Sequence, residues 1–555
     1  MNFELTPQQK AVQQSARQFA QTVLQETVLE DDAAGRFPEE AYKKMGEMGF
    51  VGLPFPKEYG GQGGDYLSYV LALEEISKIN SSVGIAYSVC TSLYSGALIN
   101  DGNEEQKKKY LPEVLSGKKM GSFCLTEPDA GSDAAGCKTT AIWNGKEYIL
   151  NGLKCFITNG PLADYYMVVA LTNPELKTKG LTAFIVEREW EGVSIGKIED
   201  KCGIRCAQVS EVIFDNVRVP KENMLGEEGK GFAVAMKDLD GGRIGVAAQG
   251  LGIAKGAYDI AFNYLKEREQ FGKPLYKNQY LAFKMAELET EIEMAQYMLY
   301  KAATDKQEGR SYSVPAAKAK MVCTDAAMHV ATEAVQMLGG NGYMKEYHVE
   351  RMLRDAKITQ IYEGTNEIQK LVELFRRFSR PPIKTIQGLW AELFVIEHSS
   401  NPSYLVKSWH TTTSDIFDFN DGTDKLEVKS TSRINRVHRF SHNQLTPNES
   451  SIVVIASLCV QQSGVGKTVL DLMDAIEPNL ENAELRFQLA DMISKTLGSD
   501  FEKACEYCFD YAKLRSEGFL DKAEVKNAVL YNKKLSYFEE YKYQIIGVVL
   551  AFLVL

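Results

Sequence analysis

Four stretches of this chain gather the residue types that polar organic chemistry needs. Phe123-Cys124-Leu125-Thr126-Glu127-Pro128-Asp129-Ala130-Gly131-Ser132-Asp133 crowds hydroxyls, carboxylates and small residues together. Backbone N–H groups and short side chains can there approach a flat, polar ring system. Phe156-Ile157-Thr158-Asn159-Gly160 ends a β-rich run and carries one hydroxyl. Arg268-Glu269-Gln270-Phe271-Gly272-Lys273-Pro274 joins a cation, an amide and an aromatic ring. The last stretch pairs Gln336-Met337-Leu338-Gly339-Gly340-Asn341-Gly342-Tyr343 with Ile361-Tyr362-Glu363-Gly364-Thr365-Asn366-Glu367-Ile368-Gln369. Taken singly, a glycine cluster is usually a turn and a lone glutamate in a loop is usually solvated. The 338–342 run is no dinucleotide fingerprint, because no strand precedes it.

The elements that must position these residues follow the hydrophobic period. Thr6 suits an N-cap and Pro7 a first helical position, and Val12, Ala16, Phe19, Ala20 and Val23 share one face. Helical patterns run on to about residue 117, broken by the glycine-rich 59–64. From about 121 to 220 the period is two, with Asn144-Gly145 and Asn151-Gly152 as hairpin signals. That predicts a small antiparallel sheet. From 232 to about 375 the pattern is helical again. Leu281, Met285, Leu288, Ile292, Ala295 and Leu299 form a narrow apolar seam that can bury in a bundle or across a subunit interface. Arg380-Pro381-Pro382 breaks the chain. The expected domains are a helical 1–118, a β domain 119–225, a helical bundle 226–378 and an α/β segment 385–555.

Together and in order, the four stretches closely resemble the acyl-CoA dehydrogenase family, from Leu5 to about Gln369. Leu125-Thr126-Glu127-Pro128, Ala130-Gly131-Ser132-Asp133 and Tyr362-Glu363-Gly364-Thr365 carry the likeness, and Asp240-Gly241-Gly242-Arg243 points to the short-chain, butyryl-CoA-type branch. The resemblance implies a multidomain α+β fold of helices, antiparallel sheet and four-helix bundle. It implies FAD between the sheet and the second helical domain, with Phe123, Leu125, Thr126, Ser132, Phe156, Ile157 and Thr158 in contact. Phe156 stands where many members have Trp. Arg268, Gln270, Phe271, Gln279, Gln336, Gly339 and Gly340 would reach the FAD of a neighbouring subunit, and Thr365 and Glu367 its adenine end. Ser132, Asp240, Arg243, Tyr362 and Gly364 would serve a short-chain acyl-CoA. Glu363 would be the base. The helix position that carries the base in other members is Gly242 here, which has no side chain. Family members also imply a homotetramer and electron-transfer flavoprotein as acceptor.

Beyond residue 385, Leu426-Glu427-Val428-Lys429-Ser430-Thr431 follows Asp418-Phe419. Alternate strand residues share a face, so Glu427 and Lys429 project together while Leu426 and Val428 pack inward. Two carboxylates can hold Mg²⁺ and a lysine can orient water. With Glu392 before it and His442-Asn443-Gln444-Leu445 after it, the segment resembles a PD-(D/E)xK restriction-endonuclease-like family, with Phe417 in the place of the family's Pro. The resemblance implies Asp418 and Glu427 as metal ligands and DNA as a partner. Gln461 denies Gly464-Val465-Gly466-Lys467-Thr468 a P-loop reading.

A net charge of −11 argues against a protein that coats nucleic acid generally, but not against a local basic cleft. Ten scattered cysteines and an acidic, non-apolar start point to a reducing cytoplasm. Cys505-Glu-Tyr-Cys508 reads as two thiols on one helix. The apolar 545–555 run is about half a membrane span, so no membrane is expected. The readings are a working dehydrogenase with an appended domain, a DNA-cleaving enzyme whose flavin domain is a passenger, a non-catalytic acyl-CoA binder, and a misjoined chimera in which only the dehydrogenase part functions.

Overall fold

A computed structural model describes residues 4–370, 385–409, 417–421, 424–431, 452–463, 466–497 and 508–510. The proline break at 380–382, the 442–445 run, Cys505 and the apolar 545–555 lie outside the described residues. The chain forms two units, Met1–Val372 and Glu373–Leu555.

The first unit begins with helices α1 (Pro7–Phe19), α2 (Val28–Ala34), α3 (Glu39–Glu47), α4 (Tyr66–Ile79), α5 (Ser81–Ser88), α6 (Gly96–Asp101) and α7 (Glu104–Leu115). Thr6 caps α1 in a reciprocal box with Gln9, and Pro7 takes its first position. Ala16, Phe19 and Ala20 are buried on the face that the periodicity marks. Between α5 and α6 the chain widens into a π-helical turn, Val89–Ser95. Such turns often mark functional sites. The only stretch among the described residues long and apolar enough to cross a bilayer is Ser81–Asp101, and it is buried in this unit.

Strands β1 (Gly121–Cys124), β2 (Thr140–Trp143), β3 (Tyr148–Thr158), β4 (Tyr165–Leu171), β5 (Leu181–Glu187), β6 (Val193–Ile198), β7 (Val209–Val219) and β8 (Met224–Leu225) make one sheet, ordered β6-β7-β3-β2-β4-β5-β8. Two expectations change here. Asn144-Gly145 does sit in the β2–β3 turn, but Asn151-Gly152 lies inside β3, where the pairing with β7 shifts register between Leu150 and Gly152. A bulge needs the same permissive backbone as a turn, and a Cβ on Gly152 would come within 2.3 Å of the Thr139 hydroxyl. The sheet is also not wholly antiparallel: β1 pairs with β4 in parallel. One sheet face, with Met167, Val169 and Ile185, joins the helical core, and the other, with Tyr166, Val168, Phe184 and Val186, has its own core. Burial on both faces explains the unbroken apolar runs of β4 and β5.

The unit closes with α8 (Gly231–Glu267), a small ribbon of β9 (Glu269–Gln270) and β10 (Lys273–Pro274), then α9 (Gln279–Gln307), α10 (Ser313–Leu338) and α11 (Val349–Thr359). Helix α8 lies close against α4. A Cβ on Gly252 would come within 2.5 Å of the Glu74 carbonyl, and one on Gly256 equally near that of Lys78. Met285, Leu288, Ile292, Ala295 and Leu299 of the α9 seam are buried in the unit's own core. Tyr280, Phe283, Met294 and Tyr297, off that seam, are its exposed large hydrophobic residues.

The second unit holds α12 (Ile386–Glu397), α13 (Pro402–Ser408), β11 (Phe419–Asn420), β12 (Asp424–Thr431), β13 (Ile452–Cys459), β14 (Gln461–Ser463), α14 (Val469–Ile476), α15 (Ala483–Leu497) and β15 (Cys508–Asp510). Strand β12 pairs antiparallel with β11 and parallel with β13. Trp390, Leu393, Trp409, Leu426, Val428, Leu472 and Leu489 share its core. Cys508 starts a strand, not part of a helix as its spacing suggested.

Candidate active site

Glu363 lies beyond the C-terminus of α11, in a turn where it and Gly364 both take left-handed backbone, φ 56° and 88°. That conformation is costly for glutamate. The carbonyls of the turn are held from three sides. Gln369 Nε2 donates to Glu363 O at 3.2 Å and to Gly364 O at 2.9 Å. Lys320 Nζ, from α10, donates to Gly364 O at 2.8 Å, and Arg243 Nε, from α8, reaches Glu363 O at 3.5 Å.

Although Glu363 as a residue is partly exposed, its Oε2 is shut off from solvent with no hydrogen-bond partner among the described residues. Burial raises its carboxyl to about 7, against the opposing pull of Arg243 and Lys320. Gly242 of α8 lies directly beside it. A Cβ there would come within 3.0 Å of Glu363 Oε2 and 2.8 Å of Leu93 Cδ2, the latter from the π turn. Tyr362, next to the base, donates its hydroxyl to Gln249 Oε1, and Gln249 in turn donates to Ser81 O at 2.9 Å. Asp240 accepts from Arg243 and from the Ser313 hydroxyl. Asp240 and Arg243 are thus a pair, one turn apart on α8.

The sheet domain supplies a second group. Cys155 N donates to Thr126 O at 3.0 Å, so the loop after β1 runs beside the end of β3. Lys154, fully buried, donates to Leu125 O at 3.0 Å and pairs with Glu127 Oε1 at 2.7 Å. Glu127 also accepts Lys138 N and Thr139 N, and its carboxyl falls to about 2 because the Lys154 charge and these hydrogen bonds outweigh burial. The loop that carries Thr126 is therefore tied to the strand that carries Phe156 and Thr158. Phe123 packs against the cluster of Leu93, Val89 and Val246, which Tyr362 also touches. Phe156, at φ 55°, turns its ring out and is 65% exposed. Ile157, in contrast, points into the core of the sheet, so it can meet a ligand only through its backbone.

The third group is open surface. Phe271 is 99% exposed, and Arg268, Gln270, Gln279, Gln336, Gly339 and Gly340 are exposed with it. A Cβ on Gly131, Gly339 or Gly340 would meet nothing within 4 Å. Outward-turned aromatic rings, partly exposed hydroxyls at Thr126 and Thr158, and open glycines suit a flat, polar, phosphate-bearing cofactor. Ser132 and Glu367 are exposed, and Thr365 is partly buried and accepts Ile368 N at 3.4 Å.

Sequence reasoning missed Lys320, Gln369, Ser313 and Gln249. Lys320 carried a signal: it breaks the buried alanine row Ala316, Ala319, Ala327 and Ala331 of α10, where a charge needs a reason.

In the second unit, Leu426 and Val428 are buried, and Glu427 pairs with Lys429 at 2.5 Å. Asp418 Oδ2 accepts Val428 N at 2.8 Å. Burial raises the Glu427 carboxyl, Lys429 opposes it, and the Asp418 charge adds to it. Glu392 accepts Trp409 Nε1 at 2.7 Å. Among the described residues no group of three or more His, Cys, Asp or Glu could hold a metal ion. The two neighbouring carboxylates suffice only for a cation that keeps most of its water, as Mg²⁺ does.

Comparison with known proteins matches two different families, which overlap over 350–373. The chain matches the acyl-CoA dehydrogenase N-terminal domain over 6–118, the middle domain over 122–217 and the C-terminal domain over 229–373. A putative PD-(D/E)XK family member matches over 350–517. The short-chain specific acyl-CoA dehydrogenase of Clostridium acetobutylicum is 52% identical over 372 residues, 67% of this chain and 98% of that protein. The butyryl-CoA dehydrogenase structure from Megasphaera elsdenii is 50% identical with a TM-score of 0.66, covering 67% of this chain and 98% of that one. A chain solved in a study of the electron transferring flavoprotein of Acidaminococcus fermentans is 51% identical, with a TM-score of 0.67 and coverage of 67% and 98%. By its three matching domains and these relatives, this chain belongs to the acyl-CoA dehydrogenase family.

Proposed function

We propose that the first unit dehydrogenates short-chain acyl-CoA thioesters to trans-2-enoyl-CoA, with Glu363 as the base. The observation that carries this reading is the sealed, unpartnered Glu363 Oε2 beside Gly242. A thioester α-proton is weakly acidic, and a desolvated carboxylate is the stronger base. Glu363 takes the α-proton as the double bond forms between the two carbons, and FAD, when bound, would supply the acceptor for the β-hydrogen and its electron pair. The Glu363 N–H is the donor for the thioester oxygen, where charge develops. Arg243 and Asp240, with Ser132, Tyr362 and Gly364, hold the CoA side. Thr126, Thr158, Phe123, Leu125 and Phe156 hold the flavin ring, while Thr365 and Glu367 serve its adenine end. The open group of Arg268, Gln270, Phe271, Gln279, Gln336, Gly339 and Gly340 serves the cofactor of a neighbouring subunit in a homotetramer. Electron-transfer flavoprotein is the acceptor and the cytoplasm the compartment.

Because the base must be ionised to act, flavin reduction should speed up as pH rises through about 7. The deciding experiment is Glu363→Gln, which keeps shape but accepts no proton. The variant should hold FAD yet stay oxidised with butyryl-CoA under anaerobic conditions, at least about a hundredfold slower than the parent. Bleaching at the parent's rate would disprove the assignment.

For the second unit we infer a metal-dependent nuclease reading, supported by the Asp418, Glu427 and Lys429 arrangement. Mg²⁺ would supply Lewis acidity, Asp418 and Glu427 would hold it, and Lys429 would orient water.

A further inference from the structure

We propose that Lys320 is a positioning residue for the base: its ammonium group clamps the Glu363–Gly364 turn and, with Arg243, sets the positive charge that faces the Glu363 carboxylate. This rests on the reading of Glu363 as the base. Lys320 is wholly buried, as only Lys154 is besides it among the lysines of the described residues. Beside its bond to Gly364 O, its Nζ donates to Asn366 Oδ1 at 2.9 Å. Asn366 is itself fixed, donating to Asp325 Oδ1 at 2.8 Å and to Thr324 Oγ1 at 3.0 Å, both on α10. One lysine thus fastens a strained turn to α10. Gln369 also donates to Gly364 O, so that carbonyl does not depend on the lysine alone. Burial of an ammonium group is expensive without compensation. Its two hydrogen bonds offset part of that cost, and Glu363 is the foremost charge that supports the ammonium group.

The charged and titratable groups around the carboxylate are few. The charges of Arg243 on α8 and Lys320 on α10 lower the carboxyl, and its own charge acts on Tyr69 of α4 and on Tyr362, next in the chain. Asp240 pairs with Arg243, while Asp325 and Glu367 act on Lys320. Burial lowers Lys320 to about 7, the same region to which it raises Glu363. Each charge opposes the other group's burial shift. Removal of the lysine charge should then move the base upward, because an opposite charge favours the ionised carboxylate.

Two variants of the full-length holoenzyme separate clamp from charge. Lys320→Gln keeps a donor for Gly364 O but no charge, and Lys320→Met keeps neither. The first readout is anaerobic flavin bleaching by butyryl-CoA against pH. In Lys320→Gln the midpoint of its acid limb should rise by about one unit. In Lys320→Met it should rise equally and the plateau should fall roughly tenfold or more, from misplacement of the base. The second readout needs no flavin reduction. S-butyl-CoA, a thioether without an acidic α-proton, is titrated by calorimetry in two buffers to count protons taken up. The pH of greatest uptake should move up by the same amount. Should Lys320→Met fail to fold, Lys320→Gln decides alone. An unshifted profile in Lys320→Gln, beside an inactive Glu363→Gln, overturns this inference and spares the base. A rapid Glu363→Gln overturns both.

Discussion

Glu363 stands in left-handed backbone at a cost of roughly 1–3 kcal/mol, and its neighbours keep it there. The residue was legible because Tyr362-Glu363-Gly364-Thr365 is a set with a known companion pattern. Its environment was not: Gln369, Lys320 and Gly242 lie 6, 43 and 121 residues away in the chain, and only the fold makes them neighbours. The sequence marked Gly242 as the place without a rival carboxylate. The structure adds that it is a contact surface of the base itself. Gly242→Ala removes a helix-destabilising glycine, worth about 1 kcal/mol in propensity, yet puts a methyl within 3.0 Å of Glu363 Oε2. We expect a protein that keeps FAD and reduces it with butyryl-CoA about tenfold or more slowly, since an ångström of misplacement is that costly. A rate within a factor of two of the parent would mean that Leu93 yields instead of the base.

Elements were readable where one face of a period carries the signal. The seam of α9 shows both the strength and the limit of this. From Met285 to Leu299 its members are buried, with Leu281 partly so, but in the subunit's own core, so it marks no free interface. Asn151-Gly152 misled because a bulge and a hairpin ask the same of the backbone, and only cross-strand register tells them apart. Strand β12 follows the period of two: Leu426 and Val428 go inward, and Glu427 and Lys429 meet on the other face. From that face comes a test of the nuclease reading. Plasmid DNA should be nicked in Mg²⁺, and Lys429→Ala should abolish nicking while Mg²⁺ still raises the melting temperature. Equal nicking by the variant would rule this site out.

At the scale of the whole molecule, the division into Met1–Val372 and Glu373–Leu555 falls just before the proline break at 381–382. Assembly was the least legible property, because it depends on what the fold leaves outside. The exposed Tyr280, Phe283, Met294 and Tyr297 of α9 and the ring of Phe271 give it a better basis than the seam. Light scattering at micromolar concentration should read a mass of four chains, and a monomeric holoenzyme would contradict the proposal. Phe271 also bears on handling: its ring is left 99% in water at the tip of a short ribbon. If neighbours cover that ring, mass action governs the subunit's endurance. Dilution would then lower the melting temperature and release the yellow colour together, and a concentrated stock would outlast a dilute one on the bench.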